Sequence, residues 1–157
     1  MSRFTSTDPQ SHKGLTNTWL TPLSVVRQLG EFDLDPCAFP NHETAKKLII
    51  LPEDGLKADW GYLRVWLNPP YGREQIHWLE KLSHHGNGIA LIFARLETKW
   101  IRPFLRNGFF QMEGRIKFLR PDFTEDSNAG TGSILIPFGR KNIGAILSSE
   151  IKGEWFQ

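Results

Sequence analysis

Apolar residues recur at helical spacing in three segments of the chain, and each segment predicts an amphipathic helix. The predicted helices cover 22–29, 74–85 and 98–106. In the first helix, Thr21 is expected to act as the cap and Pro22 to occupy the first helical position. A glycine follows the expected end of each helix, as is typical of helix termini: Gly30, Gly86 and Gly108.

Shorter apolar runs predict strands at 32–37, 64–67, 89–94, 109–112, 115–119 and 133–138. In the first strand apolar and acidic residues alternate, and Pro36 is expected to end its ladder. The run 89–94 is apolar throughout, which is typical of a strand covered on both faces.

Three further segments are less regular. Segment 44–51 fits either a helical turn or a second strand, and 121–132 is polar and predicts a long loop. The tail, 143–156, predicts one more strand and a short helix.

Strands that alternate with helices predict an α/β fold with a mainly parallel twisted sheet, flanking helices and an antiparallel edge. The polar segment 1–17 has little to bury, so we expect a flexible arm there and a single domain over 18–157.

Composition excludes several classes of protein. The single Cys37 rules out an intrachain disulfide, and no apolar run approaches the roughly 20 residues of a membrane span. The segment 1–18 lacks the apolar core of a signal peptide, so a cytoplasmic location is expected. A net charge of +2 permits a polyanionic partner without requiring one.

The strongest chemical signal is Asn68-Pro69-Pro70-Tyr71, which follows the apolar run 64–67. Ligands of open α/β sheets bind beyond the carboxyl ends of strands. The prolines stiffen the turn and keep their carbonyl oxygens as acceptors in fixed positions. The simplest alternative is a proline turn that only ends a strand.

These four residues suit the methylation of an exocyclic amine such as adenine N6. The lone pair of this nitrogen is delocalised into the ring. Asn68 Oδ1 and the Pro69 carbonyl can hold its two N–H groups, and the lone pair then points at a methyl donor. Tyr71 would stack on the base, which must leave the duplex to reach such a pocket.

In order and spacing, the chain resembles the phage-type DNA N6-adenine methyltransferases, the Dam-like group of phages and prophages. The resemblance covers about Trp19 to Gly139. It is carried by Trp19-Leu20-Thr21-Pro22, 32–38, Asp54-Gly55-Leu56, Trp66 to Gly72, 94–100 and Gly114 to Phe118.

This resemblance implies a class I (Rossmann-like) methyltransferase fold with S-adenosylmethionine as cofactor and double-stranded DNA as partner. It implies that the cofactor lies against Thr21-Pro22 and Asp35-Pro36-Cys37-Ala38, with Asp35 holding the α-ammonium group. Asp54 resembles the acid that contacts the cofactor's adenine amino group. If the protein is phage-encoded, its location is the host cytoplasm.

The chain departs from the common cofactor pattern at two points. The turn after the first strand, Ala38 to Asn41, contains no glycine, and no clear acid for the ribose hydroxyls ends a second strand. Three hypotheses therefore remain. They are a DNA adenine methyltransferase, a methyltransferase for another amine or amide (cytosine N4, RNA adenine or protein glutamine), and an inactive nucleic-acid-binding homologue.

Five basic residues are candidates for DNA contact: Arg73, Arg95, Lys99, Arg115 and Lys117. The alternatives are an ion pair of Arg95 with a nearby acid and a solvated strand face for the last two. Phe118 and Phe123 are candidates for a second wall around a flipped base, and packing is the favoured role of Phe118. No specificity domain is recognisable, so segments 72–75 and 121–132 and the N-terminal arm are candidates for DNA contact. Recognition is expected to be loose or to require a homodimer.

Other chemistry finds little support. The adjacent pair His84-His85 has no third ligand at metal-binding spacing, so no metal is expected. No histidine or acid is arranged with Cys37 for nucleophilic catalysis, and a buried thiol is the simpler interpretation.

Overall fold

The computed structural model describes residues 18–126 and 130–157. The predicted arm, 1–17, lies outside the described residues, and the division into an arm and one domain stays a prediction. The helices are α1 (Leu23–Arg27), α2 (Gln75–His85) and α3 (Arg140–Leu147), and a 3-10 helix covers Arg102–Leu105. The strands are β1 (Leu34–Ala38), β2 (Lys47–Ile50), β3 (Val65–Leu67), β4 (Gly88–Phe93), β5 (Phe109–Met112), β6 (Phe118–Leu119), β7 (Glu125–Asp126), β8 (Ser133–Phe138) and β9 (Gly153–Phe156).

Seven strands of the described chain form one sheet in the order β2-β1-β3-β4-β8-β5-β9. The first four in this order are parallel, whereas β8 pairs antiparallel with both β4 and β5, and β9 pairs antiparallel with β5. The predicted α/β fold with a parallel part and an antiparallel edge is confirmed.

The sheet is covered on both faces because its strands alternate their side chains. Leu67 and Ile92 belong to an apolar cluster with Leu79 of α2, whereas Trp66 and Leu91 belong to a second cluster with helices α1 and α3. Each cluster lies on one face of the sheet, as the pleat of a strand requires. The apolar run 89–94 is therefore covered on both faces, as predicted.

The chain around β1 differs from the prediction in two ways. Pro36 does not end the strand, which continues to Ala38, and the β1–β2 register shifts between Asp35 and Ala38. Proline cannot donate to a ladder, so an irregularity at this point accommodates it. The ambiguous segment 44–51 contains β2, a strand parallel to β1.

Helix α2 ends as predicted, with Gly86 in the left-handed conformation at φ 79°. The expected cap of α1 is wrong, because Pro22 is the N-cap residue and no side chain caps the helix. The Thr21 hydroxyl instead accepts a hydrogen bond from Asn68. Pro22 was predicted at the first helical position and is found one position earlier, at the N-cap.

The predicted helix 98–106 is wrong, since this segment forms turns and the short 3-10 helix. Pro103 lies inside it and lacks the N–H that a continuous α-helix would need. The C-terminal tail contains the expected strand, β9, and the helix α3 precedes it and begins earlier than predicted.

Two predictions around residue 120 also need correction. Of the expected strand 115–119, only Phe118 and Leu119 form a strand, β6. The expected loop 121–132 contains the short strand β7, which pairs with β6. Backbone hydrogen bonds between Leu20 and Leu119, at 3.0 and 2.8 Å, join this hairpin to the segment before α1.

Arg64, directly before β3, connects the segment that precedes β1 with helix α3 through hydrogen bonds. Its guanidinium donates to Asn142 Oδ1 (2.7 Å) and to the carbonyls of Leu29 (2.8 Å) and Glu31 (2.9 Å), and it lies over the Phe32 ring. This scaffold lies before β3, so it leaves the opposite end of that strand available for a site. No helix among the described residues has the length and apolar character needed to cross a membrane.

Candidate active site

The candidate site lies where the order of the parallel strands reverses. From β1 the sheet continues to β2 on one side and to β3 and β4 on the other. Open α/β sheets bind ligands at such a switch point, beyond the carboxyl ends of the strands. Asn68 follows β3 directly, and residues 35–38 form β1 from its second residue to its end, so the two predicted motifs meet along one cavity.

The side chain of Asn68 is oriented by the segment before α1. Its Nδ2 donates to the Trp19 carbonyl (2.5 Å) and to the Thr21 hydroxyl (3.2 Å). An amide nitrogen has two hydrogens. Both are therefore engaged, and Asn68 Oδ1 remains to accept from a ligand.

Tyr71 stands at the edge of an aromatic group. Its ring is 37% exposed and meets Phe93 edge to face at 5.5 Å between centroids. Phe93 in turn contacts Trp19 and Phe118. The packing role predicted for Phe118 is confirmed because this residue is buried in the core. Phe123 is exposed and contacts Phe39 and His42 at ring distances of 6.4 and 6.2 Å.

A cavity of about 370 Å³ adjoins the Asn68 motif. This volume lies in the range of small-molecule sites, roughly 300–1,000 Å³. All four motif residues and all but one of the predicted cofactor residues line the cavity, namely Thr21, Asp35, Pro36, Cys37, Ala38 and Asp54. Pro22, the N-cap residue of α1, does not line it.

Asp35 is a buried carboxylate in this cavity. Burial raises its pKa from 3.8 to about 6, although hydrogen bonds from the Thr44 hydroxyl and the Cys37 backbone N–H (3.0 Å) oppose the shift. Of the described side chains, none forms an ion pair with it. A cationic group of a ligand would complement this charge.

Cys37 is unsuited to nucleophilic catalysis. Burial, and then the neighbouring Asp35 charge, raise the pKa of its thiol far above the usual range. The thiolate is the reactive form of cysteine, so this side chain stays inert. Among the described residues no group of three or more metal-binding side chains occurs, and His85 Nε2 is bonded to the Leu63 carbonyl at 2.6 Å.

The loop after β2 is held tightly against β1. A Cβ on Gly55 would lie 1.8 Å from the Pro36 carbonyl oxygen, so only glycine allows this approach. Trp60 Nε1 donates to the Gly55 carbonyl (2.9 Å), and Lys81 donates to the carbonyls of Leu56 and Ala58. These contacts place Asp54 at the wall of the cavity.

Several residues that line the first cavity were not predicted from the sequence. Glu53 follows β2 by three residues, and recognition of 44–51 as a strand would have found it. Trp78 is buried, and its Nε1 has no hydrogen-bond partner among the described residues. His42 donates through Nε2 to the Thr21 carbonyl (2.8 Å), and burial lowers its pKa. No sequence signal pointed to His42 or to Thr44.

A second cavity, of about 500 Å³, lies beyond Tyr71 and includes Arg73 and Arg95. The Arg95 guanidinium lies 5.9 Å from the centre of the Tyr71 ring, and no described acid pairs with it. Lys99 is exposed nearby on the same loop as Thr98 and Trp100. The structure does not bring Arg115 and Lys117 to either cavity.

The site presents two acceptors to an amine, the oriented Asn68 Oδ1 and the Pro69 carbonyl. The adjoining cavity contains the buried carboxylate of Asp35, which suits a second, cationic ligand. A family model described as DNA N-6-adenine-methyltransferase (Dam) matches residues 7–153 of this chain. The chain therefore belongs to the DNA N6-adenine methyltransferase family, and the family predicted from its sequence is confirmed.

Two phage proteins are among its relatives. A protein of Escherichia phage T1, named DNA N-6-adenine-methyltransferase, is 31% identical over 116 residues, which are 69% of this chain and 47% of that protein. A protein of the same name from Haemophilus phage HP1 is 27% identical over 134 residues, 78% of each chain. The chain thus spans about half of the T1 protein. No solved structure matches it significantly.

Proposed function

We propose that the chain transfers a methyl group from S-adenosylmethionine to N6 of an adenine that has left the DNA duplex, on a class I (Rossmann-like) methyltransferase fold. The observation that carries this proposal is the orientation of Asn68. Because both Nδ2 hydrogens are bonded to the protein, only an acceptor, Oδ1, is presented to a target amine.

The two acceptors at the strand end account for the chemistry. Asn68 Oδ1 and the Pro69 carbonyl hold the two N–H groups of the amine, and they stabilise the positive charge that develops on nitrogen as it forms the new bond. Tyr71 supplies a ring on which the adenine stacks, and this residue lines both cavities.

We assign the cofactor to the first cavity, because the predicted cofactor residues other than Pro22 line it. S-adenosylmethionine supplies an electrophilic methyl group on its sulfonium centre. Asp35 would hold the cofactor's α-ammonium group, and Glu53 is placed to accept from the ribose hydroxyls. Asp54 would accept from the adenine amino group, and the unpartnered Trp78 Nε1 offers a donor within the same wall.

We assign DNA to the side of the second cavity, because two of the predicted basic residues line it. Arg73 and Arg95 lie at its wall, and we assign them to the phosphates that flank the flipped nucleotide. Lys99 on the adjacent loop, and Arg115 and Lys117 on the segment before β6, would contact the duplex further out. A homodimer would enlarge this surface, and the reaction belongs in the cytoplasm, where the host DNA lies.

The test is transfer of labelled methyl groups from S-adenosylmethionine to unmethylated DNA, RNA and protein, followed by analysis of the modified nucleosides. We expect N6-methyladenine in DNA. Asn68→Ala should lower turnover by about 10²–10³-fold, and cofactor affinity measured by titration calorimetry should change little. The exposed Asn107→Ala is the matched control.

Three results would contradict the proposal. Methylation of RNA or protein without DNA would replace the substrate, and N4-methylcytosine would replace the target base. Absence of cofactor binding would indicate an inactive homologue.

A further inference from the structure

The two cavities share three residues of their walls, and these residues mark where the cavities meet. Tyr71, Gln75 and Phe93 line both of them. If the cofactor fills the first cavity and the nucleotide enters through the second, the methyl group crosses at this junction. Tyr71 and Phe93 contribute rings, whereas Gln75 contributes a carboxamide.

Gln75 is unusual for a buried polar residue. It is the first residue of α2, its exposure is 8%, and no described group forms a hydrogen bond with its carboxamide. Buried polar groups are nearly always hydrogen-bonded. Gln28, the C-cap residue of α1, is by contrast exposed and donates to the Ser24 carbonyl. Among the described side chains the fully enclosed polar atoms without a partner are Trp78 Nε1 and Ser133 Oγ, so the carboxamide of Gln75 keeps access to solvent at the two cavities, where a ligand can pair with it.

The chemistry of adenine suggests which ligand this is. Asn68 Oδ1 and the Pro69 carbonyl accept the two hydrogens of the target amine, so the base still presents its ring nitrogens as acceptors. A glutamine carboxamide carries two N–H donors, and glutamine pairs well with adenine edges. Asp35, which is assigned to the cofactor, lines the first cavity alone, whereas Gln75 lines both cavities. We therefore assign Gln75 to the base and not to the cofactor.

We propose that Gln75 recognises the target base, by donating a hydrogen bond from its carboxamide to an adenine ring nitrogen next to the methylated amine. This inference rests on the proposed function. It adds a residue that contacts the ring of the base to a motif that holds only the amine.

The first test compares Gln75→Leu and Gln75→Glu with the exposed control Gln28→Leu. Gln75→Leu removes the donors at similar size, and Gln75→Glu keeps the shape but replaces the N–H donors with an acceptor. We expect kcat/KM for DNA to fall by about 10- to 100-fold in both Gln75 variants, with cofactor affinity unchanged. Weaker cofactor binding with normal DNA parameters would overturn the proposal.

The second test locates the contact on the base. Synthetic duplexes built around a mapped methylation site carry 1-deazaadenine or 7-deazaadenine in place of the target adenine alone. We expect one analogue to slow the wild-type protein but not to slow Gln75→Leu further, because the lost contact is the same. Additive losses for both analogues would overturn the proposal.

The unsubstituted duplex distinguishes a failure of the proposed function from a failure of the role assigned to Gln75. If the wild-type protein does not methylate it, the proposed function fails. If the wild-type protein methylates it and the Gln75 variants do so equally well, only the role of Gln75 fails.

Discussion

The buried carboxylate of Asp35 has a cost in stability that can be measured by substituting Asn. Burial raises its pKa from 3.8 to about 6, so the folded protein holds the proton more tightly than the unfolded chain does. A rise of this size corresponds to about 3 kcal/mol by which the ionised group destabilises the cofactor-free fold. Asp35→Asn removes the charge at nearly constant shape, and its Oδ1 can still accept from the Cys37 N–H.

The sign of the pH dependence follows from the raised pKa. Between pH 4 and about 6 the folded state binds more protons than the unfolded state, so the stability contributed by Asp35 falls as the pH rises and is lost above about 6. The free energy of unfolding of Asp35→Asn should equal that of the wild type near pH 4. It should exceed the wild-type value by up to about 3 kcal/mol at pH 8.

The assay is urea unfolding of the cofactor-free proteins at pH 4 to 8, with calorimetric titration of S-adenosylmethionine at pH 8. Cofactor affinity should fall by about 10- to 100-fold, because a charge-assisted contact is lost. Asp59→Asn removes an exposed charge and serves as control. A lower stability of Asp35→Asn than of the wild type at pH 8 would show that the Asp35 charge does not destabilise the fold. Normal cofactor binding by the variant would show that this charge does not hold the cofactor.

Three further predictions test how the site is held. Thr21→Val removes the hydroxyl that accepts from Asn68, and we expect kcat to fall about 10-fold, with recovery in Thr21→Ser; equal kcat in both variants would argue against this role. Gly55→Ala should weaken cofactor binding and lower the melting temperature, because its Cβ would lie 1.8 Å from the Pro36 carbonyl oxygen. The control Gly144→Ala, whose Cβ meets open space, should change neither property. Normal cofactor affinity of Gly55→Ala would show that this close approach does not shape the cavity. Arg95→Ala should reduce the salt dependence of DNA binding by about one phosphate contact, and an unchanged slope would remove this residue from the DNA surface.

The parallel half of the fold was predictable because its signals are local. The apolar run 89–94 and the helix that ends at Gly86 depend on periodicity and on one glycine, and both are found as expected. Segment 44–51 stayed ambiguous because a strand of four residues carries too little pattern to exclude a helical turn. Its identity is decided by pairing with β1, which is a long-range contact.

The errors in the fold have physical causes too. The expected helix 98–106 contains apolar residues at suitable spacing, but Pro103 lies inside it and the chain forms a 3-10 turn instead. The β6–β7 hairpin was missed because each strand has two residues, and because its position depends on Leu119 pairing with Leu20, 99 residues away in sequence.

The candidate site divides in a similar way. The Asn68 motif and the residues 35–38 are contiguous in sequence, so their chemistry could be predicted from the chain alone. The partners that orient Asn68 lie 47 and 49 residues away. Gln75 was predicted only as part of segment 72–75, a candidate for DNA contact, and of the helix 74–85. Its position between two cavities follows only from the packing of α2 against the strand ends.

Methylation of adenine in DNA through Asn68 can be tested by mapping modified adenines. DNA is sequenced from cells that lack adenine methylation of their own and express either the wild-type protein or Asn68→Ala. We expect N6-methyladenine at a recurring short sequence with the wild-type protein and none with the variant. Unmodified DNA with the well-expressed wild-type protein, or equal modification with Asn68→Ala, would contradict this expectation.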